Sequence, residues 1–127
     1  MERKLYLYSA LFFTVLIAIG SVVAIPTIRT GVSYFDKILH FLAYFVLTFS
    51  WLLTFKFKSK QLKISLLVLM FVFIYGIIIE VIQGVLITYR QLDYLDVLAN
   101  AIGILIAYIV FVIFFKRNKG QSKNKFV

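Results

Sequence analysis

Long runs of uncharged, mostly apolar residues alternate with short charged segments along this chain. The runs cover about residues 5–25, 38–55, 64–87 and 97–115, and only the 64–87 run is interrupted, by Glu80 and Gln83. A helix needs about 20 residues to cross the hydrocarbon core of a bilayer, which is about 30 Å thick. Each run is long enough, so the pattern predicts four transmembrane helices.

Composition narrows the class of protein further. The chain has 127 residues, of which 63% are hydrophobic and 15% charged, and its mean hydropathy is +1.01. A chain this short buries only part of its own surface, so a soluble domain of this composition is excluded. We therefore predict an all-α integral membrane four-helix bundle forming one domain, 1–127. The N-terminal run is longer than the apolar core of a signal peptide, which favours a retained helix.

The basic residues predict the orientation. Eleven of the fourteen Lys and Arg residues fall in the N-terminus, the 56–63 loop and the tail 116–127. The other three, Arg29, Lys37 and Arg90, fall on the opposite side. Cytoplasmic segments carry the excess of Lys and Arg, so both termini are predicted to be cytoplasmic. Because the basic residues lie between apolar runs, we expect a lipid bilayer and no nucleic acid as the partner.

Polar side chains from three predicted helices fall at one depth. At a rise of about 1.5 Å per residue, Glu80 lies roughly 6 Å below the outer boundary of the hydrocarbon core. The same estimate places His40 about 5 Å and Asn100 about 6 Å deep. Ionisable residues inside a membrane are costly and are functional candidates by default.

Helical spacing sorts these polar residues into faces. Asp36, His40 and Tyr44 are four residues apart, and Glu80 and Gln83 are three apart, so each set shares a face. Small residues recur along the same faces, which allows helix backbones to approach closely in lipid. They are Gly76 and Gly84 on the third helix, and Ala99, Gly103 and Ala107 on the fourth. The second, third and fourth helices are thus predicted to meet around the polar residues, with the first more peripheral.

Simpler roles for the same residues remain open. Glu80 is either a functional acid or an interhelical hydrogen-bonding group, and His40 is either a titrating or a structural residue. Arg90 either pairs with Asp93 or Asp96, or presents a fork for an anionic ligand. Asp96 is a candidate N-cap of the fourth helix, and Asp36 of the second. A metal site at His40, Glu80 and Asp96 has suitable ligand types but no characteristic spacing, and we predict no metal and no cofactor.

The polar residues, taken in order, resemble the motif of the VanZ-like family. The resemblance rests on Asp36-Lys37-x-x-His40-Phe41-x-x-Tyr44, on Glu80-x-x-Gln83 and on Arg90-x-x-Asp93-x-x-Asp96-x-x-x-Asn100-x-x-Gly103. It covers about residues 30–110. It implies a multi-pass protein of the bacterial plasma membrane and a link to glycopeptide resistance, teicoplanin resistance in particular.

Neither the residues nor the resemblance decides between binding and chemistry. The chain lacks cysteine and has one histidine, which excludes thiol chemistry and any mechanism that needs two histidines. The first hypothesis is that the outer polar residues bind or modify an anionic lipid or cell-wall precursor, with Glu80 and His40 as a proton-handling pair. The catalytic candidates are His40, Glu80 and Asp96, and the ligand-binding candidates are Asp36, Lys37, Tyr44, Gln83, Arg90 and Asn100. A proton-coupled small transporter and a non-enzymatic membrane adaptor are the alternatives.

Overall fold

Four α-helices make up the described part of the chain. The computed structural model describes residues 2–23, 33–56, 61–86 and 93–124, with side chains for 2–23, 35–56, 61–86 and 93–115. The helices are α1 (Glu2–Val22), α2 (Ser33–Thr54), α3 (Gln61–Leu86) and α4 (Tyr94–Asn124), and the described residues contain no strand. All four helices are long and apolar enough to span a membrane, as predicted.

Two helices begin earlier than the charge pattern indicates. The α2 helix begins at Ser33 and α4 at Tyr94, whereas the charge-free runs place these starts at 38 and 97. The reason is that backbone hydrogen bonding continues beyond the hydrocarbon edge, where charged side chains still reach water. Asp36 and Lys37 therefore lie on the first turns of α2. At the other end, α4 continues to Asn124, into the basic segment predicted as a tail, although its apolar span ends at Phe115.

The interior of the bundle is formed by one face of each of three helices. On α3 the buried residues recur every three or four positions, which is the spacing of a helix face that packs against neighbours. They are Ser65, Val68, Val72, Gly76, Ile79, Glu80 and Gln83. Leu47 and Leu52 of α2 and Ile104 and Phe111 of α4 complete the apolar core. The outward faces are apolar, as expected for helices surrounded by lipid.

Helix α1 lies at the periphery, as predicted. Ala10 is its one fully buried residue within the described segment 2–23. Three hydrogen bonds join it to the other helices. At Thr14, the side-chain oxygen accepts from Trp51 Nε1 at 3.2 Å and the carbonyl accepts from the Tyr75 hydroxyl at 2.6 Å. Nearer the end of α1, the Ser21 carbonyl accepts from Gln83 Nε2 at 3.0 Å. These bonds hold α1 against α2 and α3 with little apolar burial.

The closest backbone approach is between α2 and α4. A Cβ atom on Gly103 would overlap the carbonyl oxygen of Phe41 and would lie 3.2 Å from the backbone nitrogen of Phe45. Neither group is the end of a flexible side chain, so α2 would have to move. At Gly76 a Cβ would meet the Tyr44 ring at 3.0 Å and Asn100 Nδ2 at 3.3 Å. These contacts confirm that small residues bring α2, α3 and α4 together.

We expect Gly103→Ala to destabilise the bundle, although alanine is the better helix former. Overpacking of this kind costs about 1–3 kcal/mol, which exceeds the gain of roughly 0.5–1 kcal/mol from replacing a helical glycine. Thermal unfolding of the purified protein in detergent measures the effect. Gly20→Ala is the matched control, since nothing lies within 4 Å of the added Cβ. Equal melting temperatures for the two variants would contradict the close approach.

Candidate functional site

Seven polar residues come together at one end of the bundle, and we call them the polar cluster. This end holds the N-termini of α2 and α4 and the C-terminus of α3. The members are Asp36, Lys37, His40, Glu80, Asp93, Asp96 and Asn100. Three helices thus contribute to one site, which agrees with the common depth estimated from the sequence.

His40 lies at the centre of the polar cluster. Its Nδ1 is 3.1 Å from Asn100 Oδ1 and 3.4 Å from Glu80 Oε1. Its Nε2 is 3.8 Å from an oxygen of Asp36 and 3.8 Å from an oxygen of Asp96. An amide oxygen only accepts hydrogen bonds, so with Asn100 Oδ1 facing the ring, Nδ1 carries the proton and donates a hydrogen bond to it. The imidazole therefore contacts all three of the helices that surround it.

Burial differs sharply across the polar cluster. Glu80, Asp96 and Asn100 are each no more than 2% exposed. The side chains of Asp36 and Asp93 are 38% and 39% exposed, and that of Lys37 is 21% exposed. The site therefore has a buried part, formed by Glu80, Asp96 and Asn100, and a rim of Asp36, Lys37 and Asp93 that reaches solvent. His40 connects the two.

Lys37 bridges two acids of α4. Its Nζ lies 2.9 Å from Asp93 Oδ2 and 3.3 Å from Asp96 Oδ1. The hydrogen bond from Lys37, together with one from the Leu95 amide, holds the pKa of Asp93 below its ordinary value of 3.8. The pairing of Arg90 with Asp93 or Asp96 stays a prediction, because Arg90 lies outside the described residues.

The N-cap of α4 is Asp93, so the interpretation of Asp96 as the cap is wrong. Asp93 Oδ1 accepts a hydrogen bond from the Leu95 amide at 2.9 Å, which is the capping geometry. Asp96 lies in the first turn of the helix, and its side chain is directed towards His40 and Lys37. Both acids precede an apolar run, and the sequence offers no local signal that separates them.

The other two predicted ligand-binding residues are buried and only partly satisfied. Gln83 Nε2 donates to α1, and its Oε1 makes no hydrogen bond within the described residues. Tyr44 is 2% exposed, and its hydroxyl also makes no hydrogen bond there. The Tyr44 ring and Asn100 Nδ2 both face Gly76, so Tyr44 lies beneath the polar cluster.

An apolar cavity lies apart from the polar cluster. It has a volume of about 410 Å³ and is located between α1, α2 and α3. Its lining is Thr14, Leu47, Trp51, Phe55, Val68, Phe71, Val72 and Tyr75. None of these residues belongs to the polar cluster, and none of them is ionised at neutral pH. The cavity therefore provides apolar volume but no candidate catalytic group.

One family model matches the chain over nearly its whole length. The model is described as VanZ/LLP1 and matches residues 3–115, which include every member of the polar cluster. No curated protein and no solved structure matches the chain.

We expect Lys37→Met to lower the free energy of unfolding by about 1–3 kcal/mol, because it removes the cation that faces the buried Asp96. Unfolding in detergent measures this loss, and Lys63→Met, an exposed lysine at the opposite end, is the matched control. The pKa of Asp93 is depressed in the folded state, so the pair stabilises the fold above the ordinary pKa of the acid. That contribution is lost as the pH falls through the depressed value, and the difference between wild type and variant should shrink in acid.

A second substitution separates the ion pair from local packing. Adding Asp96→Asn to Lys37→Met removes the buried charge that faced the lysine, so part of the lost stability should return. No recovery in the double variant, or no loss in Lys37→Met itself, would show that the ion pair does not stabilise this end of the bundle.

Proposed function

The chain belongs to the VanZ/LLP1 family, and from that premise we propose that it binds an anionic component of the cell envelope at the extracytoplasmic face of the cell membrane. The observation that carries the proposal is the polar cluster, in which three helices converge on His40 at one end of the bundle. The ligand class is a lipid or cell-wall precursor with a phosphate or carboxylate group. Through this ligand the protein would act in glycopeptide resistance, including resistance to teicoplanin.

The free-energy cost of placing acids in membrane helices supports a functional role for the polar cluster. Insertion scales assign about 2.5–3.5 kcal/mol to an acid at the centre of a membrane helix. Interhelical hydrogen bonds measured in a membrane protein return about 0.6 kcal/mol on average. Glu80 and Asp96 lie near one end of their helices, where the cost is smaller than at the centre, but both are buried inside the protein, where an acid still needs polar partners. A ligand that uses these groups accounts for their retention better than helix association does.

The rim of the polar cluster is suited to a ligand that arrives from outside. Lys37 pairs with Asp93 and Asp96 while part of its side chain stays exposed. Its ammonium group is therefore held in place and still accessible to a ligand from solution. Arg90 belongs to the segment between α3 and α4, close in sequence to this end. We assign Arg90 the role of a fixed, planar donor for a phosphate or carboxylate, because its fork matches such groups with two hydrogen bonds.

A proton-coupled transporter is the second candidate. It is favoured by the buried Glu80 carboxylate 3.4 Å from His40 Nδ1. A coupling acid is expected near the bilayer midplane, however, and Glu80 lies close to one end of its span. Proton flux in proteoliposomes that depends on Glu80 would favour transport. A purely structural adaptor would instead be sensitive to substitutions on the lipid-facing surfaces of the helices and insensitive to changes in the polar cluster.

Our functional prediction concerns Arg90 and Glu80 in cells that depend on this protein for glycopeptide tolerance. Arg90→Ala removes the fork, and Glu80→Gln keeps the shape of the side chain but removes its charge. Both variants should lose tolerance at unchanged membrane abundance, and Arg90→Lys should be impaired because a point charge does not reproduce a planar fork. The measurement is the minimal inhibitory concentration of teicoplanin, with protein level determined by immunoblot.

Arg3→Ala is the matched control, since Arg3 lies at the opposite end of the bundle, and it should keep full tolerance. Cysteines placed at Ser33 and Ser59 in this cysteine-free chain check the orientation with a membrane-impermeant thiol reagent on intact cells. Labelling is expected at position 33 and not at 59. Full tolerance in Arg90→Ala, or the reversed labelling pattern, would contradict an extracytoplasmic anion site.

A further inference from the structure

We propose that the apolar cavity between α1, α2 and α3 binds one acyl chain of an anionic phospholipid. The headgroup of this lipid would lie at the end of the bundle that holds the N-termini of α1 and α3 and the C-termini of α2 and α4, which we call the basic end. The polar cluster lies at the other end, and none of its members lines the cavity. The lipid site is therefore a second site, independent of the proposed function.

The cavity has the volume of a hydrocarbon chain. An apolar cavity of about 150 Å³ in another protein stays dry and takes up benzene, which has six carbon atoms. The cavity here measures about 410 Å³, so by the same ratio it holds roughly sixteen carbon atoms. That number is typical of one acyl chain of a membrane lipid.

The polar groups in the cavity wall are already bonded to one another. Three lining side chains carry a donor: Thr14, Trp51 and Tyr75. The Thr14 hydroxyl donates to the Ala10 carbonyl at 2.7 Å and accepts from Trp51 Nε1, and the Tyr75 hydroxyl donates to the Thr14 carbonyl. Each donor is used within the bundle, and the remaining lining is aliphatic or phenyl. Such a wall favours a hydrocarbon occupant over water or a polar ligand.

The cavity reaches the surface of the bundle. Phe71 forms part of its wall on α3 and is 66% exposed. In a bilayer, the medium that meets this apolar surface is lipid chains. A lipid chain that enters makes dispersion contacts with wall atoms that otherwise lack a neighbour on one side.

The cavity lies one acyl chain away from the basic end. Thr14 is ten residues beyond Lys4 on α1, which is about 15 Å along the helix. One acyl chain covers half of the hydrocarbon core, also about 15 Å. On α2, the lining residue Phe55 is followed directly by Lys56, whose Nζ lies 3.5 Å from the Tyr6 hydroxyl of α1. A basic group therefore lies where α1 and α2 meet at the basic end.

The charge of the basic end selects an anionic headgroup. The sequence places eleven of its fourteen Lys and Arg residues in the N-terminus, the 56–63 loop and the tail, together with one acid, Glu2. Basic residues at a membrane surface attract anionic lipids, and basic pockets between membrane helices bind their headgroups. The occupant that matches both the apolar cavity and the basic end is thus an anionic phospholipid rather than a neutral one.

The single tryptophan of the chain provides the test, since Trp51 lines the cavity. The full-length protein is reconstituted into vesicles that contain phosphatidylcholine and phosphatidylglycerol in equal amounts. In each sample one of the two lipids carries bromine atoms on its acyl chains, which quench indole fluorescence on contact. Brominated phosphatidylglycerol should give a binding constant about five-fold higher than brominated phosphatidylcholine, the factor expected for one basic residue near the headgroup.

Filling the cavity should remove this preference. Val72 lines the cavity and is 5% exposed, so Val72→Phe places a ring where the acyl chain would lie. Its binding constants for the two lipids should become equal. Val81→Phe is the matched control, because it makes the same change on the outward face of α3, where Val81 is 45% exposed. The control should keep the preference of the wild-type protein.

A measurement on the wild-type protein keeps the proposal testable if Val72→Phe does not fold. Native mass spectrometry of protein released from the same lipid mixture should show one retained phosphatidylglycerol per chain. Equal quenching by the two lipids in wild type, or no retained lipid, would overturn the anionic occupant. An unchanged preference in folded Val72→Phe would overturn the cavity as the site. Quenching by neither lipid would mean that protein, such as a second copy of the chain, covers the cavity, and would also overturn the proposal.

Discussion

The structure of the end of the bundle that holds the polar cluster depends on the His40 imidazole, because it lies next to polar side chains of α3, of α4 and of its own helix α2. Nδ1 faces Asn100 of α4 and Glu80 of α3, and Nε2 faces Asp36 of its own helix and Asp96 of α4. Each of these partners is costly to bury alone in a medium without water. Together they satisfy part of one another's hydrogen-bonding and charge requirements. The polar cluster is therefore a cooperative unit, and the removal of one member leaves a buried polar group with fewer partners.

Close packing lower in the bundle makes this arrangement possible. Gly103 allows α4 to approach the backbone of α2 at Phe41, one residue beyond His40, and Gly76 leaves room on α3 for the Tyr44 ring and Asn100. Larger residues at these positions would separate the helices and lengthen the contacts of the imidazole. The polar bonds alone are too weak to bring helices together in lipid. Steric fit sets the distance between the helices, and the polar groups then determine how each helix is rotated about its own axis.

Much of the fold could be predicted because a bilayer imposes simple constraints. Apolar runs of spanning length had to be helices, and polar residues at equal depth on three of them were bound to meet. What the sequence did not reveal was which of these polar side chains are hydrogen-bond or ion-pair partners. Asp93 and Asp96 both lie at the start of the fourth apolar run, and Lys37 and Arg90 both fall on the same predicted side of the membrane, so the sequence alone assigned neither the cap nor the partner of Lys37. Gln83 shares a face with Glu80, yet its amide bonds to α1, because a three-residue step still rotates a side chain around the helix.

The most direct test of this account is the tautomer of its single histidine. Nitrogen-15 NMR of the purified protein, at a pH where the ring is neutral, distinguishes a proton on Nδ1 from one on Nε2. The account predicts a proton on Nδ1, held in a hydrogen bond that weakens in Asn100→Leu, while the control Gly20→Ala leaves the spectrum unchanged. A proton on Nε2 in the wild-type protein, with no response to Asn100→Leu, would contradict the convergence of the three helices on His40.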